Sequence, residues 1–273
     1  MMIKKLLRDK IALITLIIIL STMLIGILAE EIAPNDPNKT NITNKYTQIS
    51  EEFPLGTDHL GRCILSRLIY GIRPTIFLSM ITMFCTIILG TIVGMISGYA
   101  RGMIDEAIMR MVDVMLSFPS EVMILAVVGM MGVGIRNIII ASIAIKWAWY
   151  ARMIRSSVIK YNNKNYILYS KTIGTSKGFI ITRHLLPNIL SEIIVLATLD
   201  MGWVILSIST LSFLGLGIQA PTAEWGAMLS EAKNVITSHP TQMLAPGFAI
   251  LILVSAFNML GDSLRDVLDP KEV

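Results

Sequence analysis

The sequence has few charged residues and few of the side chains that carry catalysis or bind metals. Charged residues make up 15% of its 273 residues, against 54% hydrophobic ones, and there are two cysteines and three histidines. No C-x-x-C and no H-E-x-x-H spacing occurs, which excludes a disulfide framework and the common zinc motifs. The low charge and a mean hydropathy of +0.68 exclude an ordinary soluble domain and predict a polytopic membrane protein.

The sequence also lacks the phosphate-binding motif of nucleotide hydrolysis. No G-x-x-x-x-G-K-[ST] is present, so any ATP that drives this protein must be hydrolysed by a separate polypeptide. The 18 methionines are spread through apolar segments, where methionine usually fills gaps in packing. We therefore predict that the chain is not an enzyme and binds no cofactor or metal ion of its own.

The apolar stretches predict an all-α protein with six transmembrane helices, because each stretch approaches the roughly 20 residues that cross a bilayer. They lie near residues 11–29, 76–99, 119–134, 136–153, 189–214 and 242–261. Most of the 23 Lys and Arg residues fall in one set of connections, which the positive-inside rule assigns to the cytoplasm together with both termini. This topology accounts for the net charge of +4, so we expect no nucleic-acid partner.

We divide the chain into an N-terminal anchor helix with an extracytoplasmic loop, residues 1–75, and a core domain, residues 76–273. The core contains a cytosolic loop at about 153–187. On the outer side, residues 222–238 keep a mixed apolar and charged face and predict a short surface helix that Thr222 caps.

Residues 163–187 are basic, compatible with helix, and lie between two strongly apolar regions. Gly174 in the middle predicts a turn and Pro187 predicts the end of the stretch, so the segment should form two short helices folded into a bracket. The bracket could hold a partner protein. The alternative is a solvated basic loop that only follows the positive-inside rule.

Two features of the spans indicate how the helices pack. Gly90, Gly94, Gly98 and Gly102 are spaced by four and predict a face that another backbone can approach closely, either fixed or sliding during gating. Charged residues within or near spans cost about 3 kcal/mol at the membrane centre and should face a cavity or a partner. They are Glu121, Lys146, Glu192 and Asp200. We expect Asp200, Trp203 and Glu121 to line a permeation path; for Asp200 the alternative is a buried structural hydrogen bond.

The loop resembles a known family. Gly174, followed thirteen residues later by Pro187 in His-Leu-Leu-Pro-Asn, resembles the "EAA" loop of ABC-importer permease subunits, which docks into a groove on the ATP-binding subunit. The resemblance implies that coupling to the ATPase involves Leu168, Tyr169, Ser170, Gly174, Arg183 and Pro187. The Glu-Ala-Ala of the motif corresponds to Leu168, Tyr169 and Ser170, so the usual acidic contact is missing.

Further motifs resemble the C-type permease subunits of dipeptide, oligopeptide and nickel importers. These are Leu55–Arg62, Asp105–Asp113 ahead of Phe118 and Pro119, Ser212–Gly217, Trp225 with Gly226, and Asn258–Asp262 continuing to Pro270. Residues 147–153, 196–202 and 220–226 look most like the nickel branch. The resemblance implies a type I importer permease in a bacterial cell membrane, carrying nickel or a related transition metal, alone or as a chelate; the alternative cargo is a dipeptide or oligopeptide.

The same resemblance implies the partners: a homologous second permease, ATP-binding subunits, an extracytoplasmic substrate-binding protein and the lipid bilayer. The residues alone leave two other classes of protein as alternatives. A secondary transporter or channel would use Asp200 and Glu121 as ion sites, and a membrane-embedded enzyme would need clustered His, Asp or Ser on facing spans.

Overall fold

The computed structural model describes residue 6 and residues 9–268, and these contain helices and no β-strand. The basic residues Lys4, Lys5 and Arg8 near the N-terminus and the segment from Asp269 onward lie outside the described residues. The helices are α1 Lys10–Ile27, α2 Ala29–Ile32, α3 Ile64–Ile72, α4 Leu78–Ala100, α5 Gly102–Leu116, α6 Ser120–Met131, α7 Ile135–Asn162, α8 Asn165–Thr172, α9 Lys177–Phe179, α10 Leu186–Phe213, α11 Trp225–Ala232 and α12 Thr241–Leu268. Two π-helical turns, Arg73–Phe77 and Ile180–Leu185, join α3 to α4 and α9 to α10.

Length and composition qualify four helical segments of the described chain as membrane spans: Lys10–Ile27, Ile64–Ala100, Lys177–Phe213 and Thr241–Leu268. Helices α5 and α6 meet at 83° and add a fifth if they form one broken span. The predicted number of six is therefore not confirmed. Helix α7 does not qualify, because basic residues interrupt its apolar sequence.

The predicted third and fourth spans also differ in their bounds. The helical path begins well before residue 119, at Gly102, and Pro119 lies at its bend, since proline cannot continue a helix. The next helix extends past residue 153 to Asn162. Hydropathy missed these extensions because the added turns are mixed in polarity.

Helices α4 and α7 run parallel and in close contact along a glycine seam. A Cβ atom at Gly90 would lie 2.4 Å from the Cβ of Tyr150, and one at Gly94 would lie 2.6 Å from the carbonyl oxygen of Ala151. Gly98 faces Val158 in the same way, at 2.9 Å. Such distances leave no room for a side chain, so the backbones touch.

Gly102 does not belong to this seam, contrary to the spacing argument. It follows the end of α4 with a φ of 62°, and nothing lies within 4 Å of the position of its missing Cβ. Its role is to turn the chain from α4 into α5, a left-handed conformation that glycine adopts without strain.

Helix α5 is attached to α7 by ion pairs at the end of the bundle where α4 finishes. The Arg155 guanidinium donates to both carboxylate oxygens of Asp105, at 2.5 Å and 2.6 Å. Arg152 pairs with Asp113. At the same end, Arg101 donates to Asn163 at 2.9 Å.

The opposite end of the bundle carries the long connection before α3 and the segment that contains α11. Glu224, not the predicted Thr222, caps α11: its carboxylate accepts from the N–H groups of Gly226 at 2.9 Å and Ala227 at 2.8 Å. Burial raises the pKa of Glu224, and the backbone donors partly oppose that rise. The Trp225 indole donates to the carbonyl of Leu68 at 2.9 Å, which fixes α11 against α3.

Helix α1 packs into the same apolar core as the rest of the bundle. Its buried Ala12 and Ile19 belong to one hydrophobic cluster with Ile250 and Leu260 of α12. Arg73 also holds the end of α1, donating to the carbonyl of Gly26 at 2.7 Å. The division after residue 75 stays a prediction; it falls within the π-helical turn Arg73–Phe77.

The outer faces of the long helices expose large apolar side chains. On α1 these are Ile11, Ile14, Ile17, Leu20, Leu24 and Ile27. A helix that is apolar on the side turned away from the bundle faces lipid in a membrane protein.

Candidate functional site

A group of polar side chains lies between the first turn of α6 and the middle parts of α7 and α10. We call it the mid-bundle cluster: Glu121, Lys146, Tyr150, Asp200 and Ser207. The Tyr150 hydroxyl donates to Asp200 Oδ2, and the Ser207 hydroxyl donates to Glu121 Oε2 at 2.8 Å. These bonds join each carboxylate to a neighbouring helix.

The mid-bundle cluster borders a cavity of about 150 Å³. The cavity is lined by Met115, Leu116, Ser120, Ile145, Lys146, Trp149, Tyr150, Asp200 and Trp203. Among the predicted path residues, Asp200 and Trp203 reach this cavity, and Trp203 is 55% exposed. Glu121 belongs to the cluster through Ser207 and does not line the cavity.

Two members of the cluster are not fully satisfied. Among the described residues, the Lys146 ammonium and Glu121 Oε1 have no hydrogen-bond partner, although both atoms are buried. A buried charged atom without a hydrogen-bond partner costs free energy, and most buried polar groups in proteins have such a partner. The cluster therefore has unused capacity to bind both an anionic and a cationic group.

The role of Tyr150 was missed by the reasoning from sequence, and Lys146 was noted only as a charge in a span. The signal was their spacing: two polar residues four apart on a helix share one face. Their approach to Asp200 joins positions 50 residues apart, which no local pattern indicates.

A second charged group, which we call the arginine cluster, lies where α3 meets α11 and consists of Asp58, Arg62, Arg67 and Glu231. Arg62 and Arg67 are each 1% exposed. Arg62 donates to Asp58 and to Glu231, both at 2.6 Å, and Arg67 donates to Glu231 at 3.1 Å. Each charge in this group is paired, so it serves to hold the long connection before α3 on α11.

Asp58 and Glu231 also lie near His59, and the potential ligand atoms of these three residues are within 4.8 Å of one another. A divalent cation could take ligands of this kind. Both carboxylates are already bound to buried arginines, however, and a metal ion would have to displace them. The geometry therefore favours a structural role.

The basic segment 163–187 contains helix α8, a turn at Gly174 with a φ of 79°, and then α9. The predicted second short helix is continuous with α10. Pro187 does not end the stretch, because the π-helical turn Ile180–Leu185 carries the helix past the proline. Of the proposed coupling residues, Leu168, Tyr169, Arg183 and Pro187 are exposed, and Ser170 is buried, with its hydroxyl donating to the Tyr166 carbonyl at 2.8 Å.

The exposed face of this segment combines apolar and basic side chains and has no acidic residue. Its apolar members are Tyr166, Leu168, Tyr169, Ile173 and Phe179. Lys171 points back toward the bundle, where its ammonium donates to Asn162 at 2.6 Å and lies 5.2 Å from the Tyr99 ring centre. The segment is thus tied to the ends of both α4 and α7.

Residues 174–178, Gly-Thr-Ser-Lys-Gly, fit the letters of the G-x-S-x-G pattern of hydrolases, which the reasoning from sequence overlooked. That pattern requires a nucleophile on a sharp turn between a strand and a helix. Here a helix precedes it, and Ser176 caps α9 by accepting from the Phe179 N–H. The segment therefore lacks the context of a nucleophile elbow.

The fold and the polar mid-bundle cluster define a class, the polytopic membrane transport proteins. Residues 90–272 match the family described as "Binding-protein-dependent transport system inner membrane component", and residues 1–48 match the "N-terminal TM domain of oligopeptide transport permease C". The chain belongs to this permease family, as a C-type member of its peptide and nickel branch.

Individual relatives align over nearly the whole chain. The metal-staphylopine import system permease protein CntC of Staphylococcus aureus is 46% identical over 98% of this chain and 93% of its own length. The dipeptide transport system permease protein DppC of Alkalihalophilus pseudofirmus is 42% identical over 98% and 88%. The nickel transport system permease protein NikC of Escherichia coli is 40% identical over 94% and 93%.

Proposed function

We propose that this chain is one of two homologous permease subunits of an ATP-driven importer for nickel or a related transition metal, carried as a complex with a small chelator. The observation that carries the proposal is the 46% identity over nearly the whole chain to a permease named for a metal-chelator complex. The 40% identity to a nickel permease supports the same cargo.

The membrane topology we propose has six passes, with α7 as the pass that composition alone does not recognise. Its length of 28 residues exceeds the roughly 20 needed, and its Lys146 is buried inside the bundle, away from lipid. Both termini and segment 163–187 then lie in the cytoplasm. The anchor 1–75 and the core 76–273 remain the proposed division.

Segment 163–187 is proposed to dock into the groove of an ATP-binding subunit. Its exposed apolar face supports this, because such a patch on a monomer usually marks an interaction site. With no acidic residue in the segment, the docking would rely on aromatic contacts and on basic side chains meeting carboxylates of the partner. The ties from Lys171 to α7 and α4 would transmit the movement.

ATP binding would close two ATP-binding subunits and rock the two permeases between inward-open and outward-open states. An extracytoplasmic binding protein would deliver the cargo and supply most of the selectivity. The path would pass the cavity beside Asp200 and Trp203, with Glu121 behind it. A chelated metal already has ligands from its chelator, so the path needs polar and aromatic lining and no inner-sphere site.

A dipeptide or oligopeptide is the second candidate cargo, and the 42% identity to a dipeptide permease favours it. Peptides and metal chelates are both small, polar and multiply charged, so one skeleton can serve either. The two cargoes are distinguished by uptake and not by fold.

The test is reconstitution of this chain in liposomes with its second permease, the ATP-binding subunits and the binding protein. We expect ATP-dependent uptake of radiolabelled nickel with a chelator, exceeding uptake of a labelled dipeptide. Liposomes containing this chain alone are the control and should show no flux. Flux through the single chain without ATP would contradict the proposal, and dipeptide uptake alone would change the cargo.

A further inference from the structure

Lys146 is a buried cation in the mid-bundle cluster that no described side chain satisfies. It is 8% exposed, and its ammonium has no hydrogen-bond partner among the described residues. The nearby carboxylates make their hydrogen bonds to other groups, since one oxygen of Asp200 accepts from Tyr150 and one oxygen of Glu121 accepts from Ser207. Both carboxylates act on Lys146 electrostatically, without a hydrogen bond to it. A buried lysine without an acceptor is rare, because removing the ammonium from water is costly unless a partner replaces the water.

Lys146 also lines the cavity beside Trp149, Tyr150 and Trp203. The volume of about 150 Å³ accommodates a group of several heavy atoms, since one water molecule takes up about 30 Å³ in the liquid. The lysine side chain has a flexible stem of four carbons, so rotation about its bonds can bring the ammonium to a ligand in that space. Aromatic walls next to a lysine and an aspartate form a site with an apolar body and two charged anchors of opposite sign, of which Lys146 is the cationic one.

We propose that Lys146 binds a carboxylate group of the transported solute and thereby selects carboxylate-bearing cargo over a bare metal cation. This inference rests on the proposed function and names the chemical class of its cargo. A chelator with carboxylate arms and the C-terminal carboxylate of a peptide share the required group. A bare hydrated divalent cation has no carboxylate for the lysine to bind, and the ammonium offsets the attraction that the Asp200 carboxylate exerts on it at the same cavity.

The competing explanation is that Lys146 is a structural counter-ion for the nearby carboxylates, Asp200 and Glu121, of which Glu121 Oε1 also lacks a partner among the described residues. The two explanations make opposite predictions for a double variant. If Lys146 only neutralises Glu121, removing both charges restores a normal protein. If Lys146 binds cargo, removing both charges leaves uptake impaired.

The experiment uses the complete reconstituted transporter with three labelled probes: nickel bound to iminodiacetate, bare Ni²⁺, and the dipeptide Ala-Ala. Wild-type uptake identifies the probe that is carried, and the variants K146M, K146R, E121Q and K146M/E121Q are then compared on it. Arg136→Met is the matched control, because it removes an exposed cation from the same helix. Co-purification of the partner subunits and ATPase activity report assembly separately from uptake.

We expect K146M to lower uptake of the carboxylate probe about tenfold or more, the scale of losing a hydrogen bond between charged groups. K146R should retain most of it, K146M/E121Q should stay impaired, and R136M should match wild type. If K146M does not assemble, the uptake of the assembled double variant decides. The inference would be overturned by unchanged uptake in K146M, by full recovery of uptake in the double variant, or by wild-type transport of bare Ni²⁺ alone. Absence of wild-type uptake of every probe would overturn the proposed function instead.

Discussion

Two groups of buried charges in this molecule are built on different principles. In the arginine cluster, each guanidinium and carboxylate has a partner, with donor–acceptor distances as short as 2.6 Å. In the mid-bundle cluster, the Lys146 ammonium and one Glu121 oxygen have none among the described residues, and Lys146 lines a cavity. A saturated network stabilises a fold, whereas unsatisfied groups at a cavity are available to a ligand. Substitutions in the two clusters should therefore fail in different ways.

The largest effect should follow from Asp58→Ala in the arginine cluster. This change removes acceptors for Arg62 and for the Leu60 N–H, bonded at 2.8 Å, and leaves buried guanidinium charge unpaired. We expect a loss of about 3–5 kcal/mol in stability, seen as a lower unfolding temperature in detergent and reduced amounts in the membrane. Glu106→Ala is the control, because its pair with Arg110 is exposed and long, at 3.4 Å. Equal stability of the two variants would show that the arginine cluster is not structural.

The next effect tests how firmly the mid-bundle cluster depends on the glycine seam. Gly90→Ala would place a methyl group 2.4 Å from Tyr150 Cβ and push that residue, and with it the hydrogen bond to Asp200, out of position. Overpacking of this kind costs about 1–3 kcal/mol. Uptake by the reconstituted transporter and unfolding temperature should both fall. Gly129→Ala, at a helical glycine with nothing within 4 Å of a Cβ, should leave both unchanged; similar behaviour of the two variants would argue against the close contact.

Asp200→Asn sharpens the comparison, because it should reduce transport and leave the protein intact. The amide can still bond to the Tyr150 hydroxyl, so the packing of α7 against α10 is kept while a negative charge at the cavity is lost. We expect uptake to fall about tenfold with less than about 1 kcal/mol change in stability. Asp36→Asn, on the exposed outer connection, serves as the charge-matched control. Wild-type uptake in Asp200→Asn would remove this residue from the path.

Gly174→Val tests a position outside both clusters, where the effect should fall on coupling. Its φ of 79° strains a β-branched residue by about 1–3 kcal/mol, and this strain would distort the turn between α8 and α9. No steric clash adds to this strain, because nothing lies within 4 Å of a Cβ at this position. We expect ATP hydrolysis to continue while uptake per ATP falls. Gly178→Val, in an equally open helical position, should couple normally; a normal ratio in both variants would remove Gly174 from coupling.

Much of the fold was predictable because it depends on local patterns. Apolar runs located α1, α4, α10 and α12, and the spacing of Gly90, Gly94 and Gly98 indicated one face for close approach. The errors fell where a helix is mixed in polarity. Helix α7 has a polar face inside the bundle, so hydropathy located only residues 136–153 of it. Of the bent path formed by α5 and α6, hydropathy located only the part that begins at Pro119.

The candidate site was predictable only in part. The sequence indicates Asp200 and Glu121 as candidates, because a charge within an apolar run costs free energy unless it faces a cavity or a partner. Nothing in the sequence indicates that Tyr150 meets Asp200, that Ser207 meets Glu121, or that Lys146 is left without an acceptor. Each of these facts depends on which faces α6, α7 and α10 turn toward one another in the packed structure.

The sequence by itself determined that this chain is a helical membrane protein without a phosphate-binding loop for nucleotide hydrolysis, and its motifs resemble those of ABC-importer permeases. Composition, motifs and helix-scale periodicity are properties of neighbouring residues, and they suffice for that conclusion. Only the tertiary structure decided which buried charges are saturated and which face a cavity. Partners such as Arg62 and Glu231 are 169 positions apart, and side chains acquire such neighbours only when the helices have packed.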